Sequence, residues 1–392
     1  MNYSQLEYLN DLFEGEVAAG RLFGAAVTVG TTGGRVFTGE YGDMKSNTLC
    51  MLCSMTKPIT SIAAWILIER GLLDPREKLS KYLPKYKNPM VYVDGQIVPA
   101  HREVTVLDVM NMVSGIPATA TRKPEEDYSA SMMRRMMNEH KARCDAGEKV
   151  PTWDLINNYG EIPLLFQPGE RWDYGKNADV LGGVIEVISG MSLGEFFDKE
   201  IFKPLGLVDT GYIIPEEKLN RVGRIGKLAE DGTLKEITSQ QFYGDSRSLA
   251  EEPYTYSGGG GNAPIMSRGV YSTLDDYSKI CRMLLRKGEL SGKRILSERT
   301  VELFAENQLT EQQRKGLFPG LHGYGYGSLM RVMMNRAEAP TTGSNGEFGW
   351  DGALGTYFCV DPEAGIYICY MQQKVADPIV RRKMRNIIYS AI

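Results

Sequence analysis

The stretch Ser54-Met55-Thr56-Lys57-Pro58, followed by Ile59-Thr60-Ser61-Ile62-Ala63-Ala64-Trp65-Ile66-Leu67-Ile68, decides how this chain is read. The run after Pro58 is apolar nearly all round, as expected of a helix buried on every side. Ser54 then lies at the helix entrance, and Lys57, three residues on, shares its face. A serine hydroxyl attacks poorly until a base takes its proton, and a lysine one turn away is one such base. The positive field of a helix N-terminus favours negative charge developing there. S-x-x-K alone is more often solvated surface than chemistry. Its place at the mouth of a buried helix is what makes it a candidate.

The bulk numbers narrow the field. The chain has 392 residues, more than one simple core accommodates, so two domains or subdomains are expected. With 42% hydrophobic and 24% charged residues, disorder is not expected. A net charge of −4 and the lack of a basic run argue against nucleic-acid binding. The N-terminal MNYSQLEYLNDLFEGEV carries acids and no apolar core of a secretory signal. The run from Ile59 to Ile68 is too short to span a bilayer. A soluble, cytoplasmic protein is the expectation. The cysteines Cys50, Cys53, Cys144, Cys281, Cys359 and Cys369 are scattered, with one C-x-x-C pair and no second pair or histidine cluster. Free buried thiols are therefore expected rather than zinc ligands. With no H-E-x-x-H motif and only His101, His140 and His322, metal catalysis is not expected.

Along the chain, residues 4–19 read as an amphipathic helix. Ala25 to Val29 and Arg35 to Tyr41 read as strands joined by a hairpin at Thr31-Thr32-Gly33-Gly34. Helical patterns follow at 59–70, 105–112, 129–142, 179–189, 192–201 and 274–287. Strands return at Tyr326 to Met333, Thr356 to Val360 and Ile366 to Gln372, before a final helix at about 376–391. Strands at both ends and helices between predict an α+β fold. In it, residues 1–55 and 290–392 form an antiparallel sheet domain with flanking helices, residues 56–289 form a mostly helical domain, and the active site lies between them. Residues 120–150, with Tyr128 and the methionines Met132 to Met137, suit either a lid or ordinary helix packing.

Four further segments carry possible chemistry. Tyr174, in Trp172-Asp173-Tyr174-Gly175-Lys176-Asn177, is a proton shuttle if cations lower its pKa, and otherwise a turn tyrosine that packs its ring. Gly349-Trp350-Asp351-Gly352-Ala353-Leu354-Gly355 offers backbone N–H groups to an oxyanion, or else an edge-strand bulge. Gly190-Met191-Ser192-Leu193-Gly194 fits the G-x-S-x-G nucleophile elbow. That elbow must follow a strand, however, and the residues before Gly190 look helical, so a helix cap followed by a capping box is expected. Ser257-Gly258-Gly259-Gly260-Gly261 lacks the Gly-Lys-Ser/Thr of a phosphate loop and reads as a flexible loop near an active site or a tight helix entry.

In order and over residues 20–375, these pieces resemble the serine β-lactamase and penicillin-binding-protein-like superfamily. The likeness is greatest to class C β-lactamases and family VIII carboxylesterases. Ser54-Met55-Thr56-Lys57 resembles the S-x-x-K motif, Thr105 to Val109 through Ser114-Gly115-Ile116 the helix and Ser-Gly turn, Phe166 to Tyr174 the tyrosine segment, and Gly269 to Thr273 with Asp276-Tyr277 a further match. The resemblance implies Ser54 as acylated nucleophile, Lys57 and Tyr174 sharing the proton work, backbone N–H groups of Ser54 and Ala353 as oxyanion hole, and no cofactor. It also implies a substrate-binding wall at Trp350, Asp351 and Gly352. Two departures matter. Lys176 stands where class C enzymes have the asparagine of Y-x-N, with Asn177 one step late. Trp350-Asp351-Gly352 replaces Lys-Thr-Gly, as in esterases and some acyltransferases of the group. The apolar tryptophan turns the expectation toward hydrolysis of small-molecule esters. β-Lactam, D-amino-acid peptide or amide cleavage, acyl transfer, or a non-catalytic scaffold are the alternatives. Lys176 is either a cation for a substrate carboxylate or a solvent-facing lysine.

Overall fold

The computed structural model describes residues 2–118, 127–243, 247–259, 269–339, 341–375 and 378–392. Its centre is a seven-stranded antiparallel sheet. In spatial order the strands are Tyr324–Gly327, Met330–Met333, Phe348–Asp351, Tyr357–Asp361, Ile366–Met371, Gly24–Thr31 and Gly34–Gly42. The two ends of the chain thus close one sheet, with Ala26 opposite Met371 and Thr31 opposite Ile366.

Alternation along the strands divides the core into two layers, because successive side chains leave a strand on opposite faces. Ile366, Ile368 and Tyr370 join Ala25, Val27 and Val29 beneath the helices Tyr8–Ala18 and Pro378–Ser390. Tyr367, Cys369 and Met371 face the other way, into the large core shared with the helical part. The helix Leu274–Leu285, expected with the helical part, packs across these strands, its Tyr277 ring 5.4 Å from that of Phe358. No single helix among the described residues is long and apolar enough to cross a membrane. None of the six cysteines is in a disulfide, and five of them are buried.

Several sequence expectations change in the structure. Tyr326 to Met333 is not one strand but parts of two, reversing at Ser328 and Leu329, whose φ angles are 50° and 59°. Two consecutive non-glycine residues in the left-handed region are costly, and contacts from distant elements hold them. Leu329 N–H donates to Met110 O at 2.9 Å, Ser328 N–H to Asn111 Oδ1 at 3.2 Å, and Trp65 Nε1 to Ser328 Oγ at 3.1 Å. Phe348–Asp351 is an interior strand rather than an edge bulge. The middle of the chain also holds two small hairpins, Met90–Val93 with Gln96–Pro99 and Ile225–Leu228 with Leu234–Ile237, which its sequence did not suggest. In the helix Tyr128–Asp145, Met133 and Met137 are core residues and Met132 and Met136 lie against that core, so the methionines are helix packing. Residues 120–126 of the suggested lid lie outside the described residues.

A buried polar cluster ties the C-terminal helix to the back of the sheet. Arg385 Nη2 donates to Glu347 Oε2 at 2.6 Å, and both residues are almost wholly enclosed. Tyr324 and Tyr389 hydroxyls donate to the same carboxylate at 3.1 and 2.9 Å. Burial would push the Glu347 carboxyl up, but Arg385 and Arg331 outweigh it and hold the pKa below its ordinary value. Truncating one partner strands the other charge in the core. Arg385→Ala is expected to cost about 3–5 kcal/mol of folding stability, read by urea unfolding; a midpoint equal to wild type would show that the pair carries no such weight.

Candidate active site

Ser54 is presented by an unusual backbone. The preceding Cys53 has φ of 49°, in the left-handed region, and Cys53–Met55 forms a single tight turn before the helix Thr56–Glu69 begins. That strain is of order 1–3 kcal/mol for a non-glycine residue. The surrounding contacts fix it: Leu52 N–H donates to Val270 O at 3.0 Å, Tyr277 OH to Met55 O at 3.0 Å, and Val270 N–H to Thr56 Oγ1 at 3.1 Å. The helix is buried over most of its length, as its composition requires.

The three residues drawn from the S-x-x-K and tyrosine segments meet here. Tyr174 OH donates to Ser54 Oγ at 2.8 Å, and Lys57 Nζ lies 3.1 Å from the same oxygen. Lys57 Nζ also donates to the Gly259 carbonyl at 2.5 Å and stands 4.6 Å from the centre of the Tyr174 ring. All three side chains are buried. Burial disfavours the charged amine and lowers Lys57 to about 8, against the opposing pull of Asp179, Cys53 and Asp351. Tyr174 moves the other way. Its pKa is raised by burial, which outweighs hydrogen bonding with Ser54 and Trp350. The cation beside it does not make it a phenolate. It is a neutral donor, and the lysine is the group that can be unprotonated near neutral pH.

The segment after the strand Phe348–Asp351 closes the site from the sheet side. Gly352 N–H donates to Thr356 O at 2.8 Å, and Thr356 Oγ1 donates to Leu52 O at 3.1 Å. A Cβ on Gly352 would meet Thr356 Oγ1 at 2.2 Å and Leu52 O at 2.3 Å, so only glycine lets this segment approach the Ser54 turn. The Ala353 N–H has no hydrogen-bond partner among the described residues. Trp350 stacks on Tyr174, with ring centres 6.0 Å apart, and Tyr326 meets Trp350 edge-on at 5.3 Å. Phe318 lies 5.3 Å from Tyr174 and is 40% exposed. Phe318 and Tyr326 join this wall from outside any motif, so local pattern does not mark them.

Two residues expected to meet substrate are occupied otherwise. The Asp351 carboxylate is held by arginines: Arg381 Nη1 donates to its Oδ2 at 2.5 Å, with Arg331 Nη1 3.8 Å from Oδ1. Lys176 is neither solvent-facing nor a free cation. It is buried, with Nζ 3.7 Å from Asp179 Oδ2. Asn177 instead turns its Oδ1 to the Ser114 hydroxyl, joining the Ser-Gly turn to the tyrosine segment. Gly259 belongs to the glycine run after Ser257, of which Gly260 and Gly261 lie outside the described residues.

The G-x-S-x-G segment is structural. Gly190, at φ 67°, ends the helix Asn177–Ser189, and Ser192 with Glu195 forms the capping box of the next helix. His140 is buried with Nε2 3.3 Å from Tyr254 O and touches none of these residues.

Comparison with known proteins places the chain among relatives and in a family. Protein Rv1367c of Mycobacterium tuberculosis is 28% identical over 345 residues, covering 85% of this chain and 79% of the relative. Esterase EstB of Burkholderia gladioli is 25% identical over 379 residues, covering 92% and 88%. The structure of EstCE1, described as a hydrolase with promiscuous acyltransferase activity, superposes with a TM-score of 0.80 at 20% identity, covering 99% of both chains. A family model described as Beta-lactamase matches residues 9–389, and the chain belongs to that family.

Proposed function

We propose that this protein is a serine hydrolase that cleaves small carboxylic esters through an acyl-enzyme on Ser54. The observation that carries the reading is the chain of contacts Tyr174 OH, Ser54 Oγ, Lys57 Nζ, at 2.8 and 3.1 Å, around an amine that burial brings to about 8. Membership of the Beta-lactamase family and the similarity to esterase EstB support it.

As Ser54 Oγ attacks the ester carbonyl, its proton passes to the neutral Lys57 amine, and the carbonyl electron pair moves onto oxygen. Backbone N–H groups of Ser54 and Ala353 take that oxyanion, aided by the start of the helix. When the tetrahedral centre collapses, the C–O bond to the alcohol breaks. Tyr174 gives its proton to the leaving alkoxide and regains one from the Lys57 ammonium. Water then attacks the acyl carbonyl and passes a proton to the same pair; as the tetrahedral centre collapses, the C–O bond to Ser54 breaks, Oγ takes that proton back, and the carboxylic acid leaves.

Ester selectivity is argued from charge. Trp350 stands where the β-lactamase lysine would meet a substrate carboxylate, and the nearby Lys176 is committed to Asp179. A neutral ester loses nothing by this, whereas a carboxylate-bearing β-lactam or peptide finds no spare cation among these residues. Acyl transfer to an alcohol in place of water uses the same acyl-enzyme. EstCE1, described as having promiscuous acyltransferase activity, shares this fold. Adding alcohols and measuring the partition between acid and new ester separates the two outcomes.

Three measurements test the reading. Ser54→Ala is expected to lose more than about a thousandfold in hydrolysis of short-chain p-nitrophenyl esters; turnover equal to wild type would sink the proposal. Because Lys57 must be unprotonated to act as base, kcat/KM should rise with pH through about 8. A profile already flat from pH 6 to 9 would exclude Lys57 as that base. Gly352→Ala, by forcing apart the Ala353 and Ser54 segments, should lower kcat about a hundredfold or more while soluble protein is retained. Unimpaired kcat in this variant would remove Ala353 from the oxyanion hole.

A further inference from the structure

The amine of Lys57 does not position itself. Besides Ser54 Oγ, its recorded hydrogen-bond partner is the carbonyl of Gly259 at 2.5 Å, in a loop with no regular secondary structure of its own. That loop is held by one buried carboxylate. Ser257 Oγ donates to Asp179 Oδ1 at 2.5 Å and accepts from Gly259 N–H at 3.2 Å, so the two ends of the three-residue segment share one hydroxyl. Thr60 Oγ1 donates to Gly258 O at 2.7 Å, and Tyr212 OH to Ser257 O at 2.8 Å. The fit is tight: a Cβ on Gly259 would meet Asp179 Oδ2 at 2.4 Å, and one on Gly258 would meet Ala178 O at 2.2 Å. Asp179 sits in the first turn of the helix Asn177–Ser189, where an acid is favoured in any case. Helix stabilisation alone, however, does not require a buried partner serine or the buried Lys176, whose Nζ is 3.7 Å from Oδ2.

We propose that Asp179 and Ser257 are positioning residues for the Ser54 site: their hydrogen bond clamps the Ser257–Gly259 backbone so that the Gly259 carbonyl aims the Lys57 amine at Ser54 Oγ, while Lys176 balances the buried carboxylate. The inference rests on the reading of Ser54 as nucleophile and Lys57 as its base. It gives Lys176 a part that neither substrate binding nor solvent exposure describes. The charged and titratable groups that face Lys57 are Asp179 from the helix Asn177–Ser189, Cys53 from the preceding turn, Asp351 from the sheet and Tyr174 from across the cleft. Of the charged groups, Asp179 opposes loss of the lysine's proton most strongly.

Geometry and charge can be removed separately. Ser257→Ala breaks the clamp and leaves the carboxylate. Asp179→Asn keeps an acceptor for Ser257 and removes the charge. The double variant Lys176→Met with Asp179→Asn removes both buried charges together, in case the single one fails to fold. Each is assayed for kcat/KM per titratable serine between pH 5 and 10. The Lys57 titration is followed by NMR of 13Cε-labelled lysine. For Ser257→Ala the expected result is a fall in kcat of about 10–100-fold, with KM and the acid limb unmoved and most of the rate restored by Ser257→Thr. For Asp179→Asn, alone or in the double variant, the Lys57 titration and the acid limb should both move down by about one pH unit. A Ser257→Ala variant whose rate per titrated site equals wild type, or a Lys57 titration unchanged in Asp179→Asn, would overturn the proposal even if melting temperatures fall. Should Ser54→Ala prove fully active, the esterase reading fails separately, and the lysine titration still decides whether Asp179 governs Lys57.

Discussion

Everything at this site follows from taking one lysine amine out of water. An exposed lysine is protonated at neutral pH and cannot accept a proton from serine. Lys57 is enclosed by the helix it begins, by the Tyr174 ring and by the Gly259 loop, and burial brings it to about 8. The same enclosure acts oppositely on Tyr174, because the charged form of a phenol is the deprotonated one. One physical cause therefore brings the amine within reach of its neutral form near pH 8 and keeps the phenol protonated, on either side of Ser54 Oγ. Asp179 and Asp351 limit how far the lysine falls, so the site is a balance between desolvation and buried carboxylates.

The fold supplies that enclosure by bringing three parts of the chain onto one small turn. The helical part contributes Lys57, Tyr174 and Gly259, and the sheet contributes Trp350 through Ala353. Close approach is made possible by residues with no side chain at the points of contact. Gly352 meets Leu52, and Gly258 meets Ala178. Behind the sheet, Arg381 holds Asp351 and Arg385 holds Glu347, so the C-terminal helix braces the strand Phe348–Asp351 at both of its ends. Strain at Cys53, Ser328 and Leu329 is held by contacts between the two halves.

Much of this was legible from the chain. Ser54 and Lys57 at the head of an apolar run, Tyr174 before a helix, and the glycines around Trp350 all pointed to one place, and the first three meet within hydrogen-bonding distance. The elements named from alternation and helical periodicity lie, Tyr326 to Met333 aside, within a few residues of their places in the structure. Ser192 was recognised as a cap because the residues before Gly190 have helical spacing. What sequence did not show depends on distant partners. The reversal at Ser328-Leu329 carries no glycine or asparagine at its centre and is held by Met110, Asn111 and Trp65. The short strand Phe348–Asp351 was hidden by its glycine. The pairing of Lys176 with Asp179, and the use of a glycine carbonyl to hold Lys57, leave no mark in local pattern because both are made by the folded core.

The account's central claim is that Ser54 Oγ becomes acylated during turnover. The most direct test is rapid acid quench of the protein with an activated short-chain ester, followed by intact mass and peptide mapping. The account predicts a mass increase of one acyl group confined to the peptide containing Ser54 and absent from Ser54→Ala. An unmodified Ser54 in protein that is turning over ester, or an acyl group mapped to another residue, would contradict it.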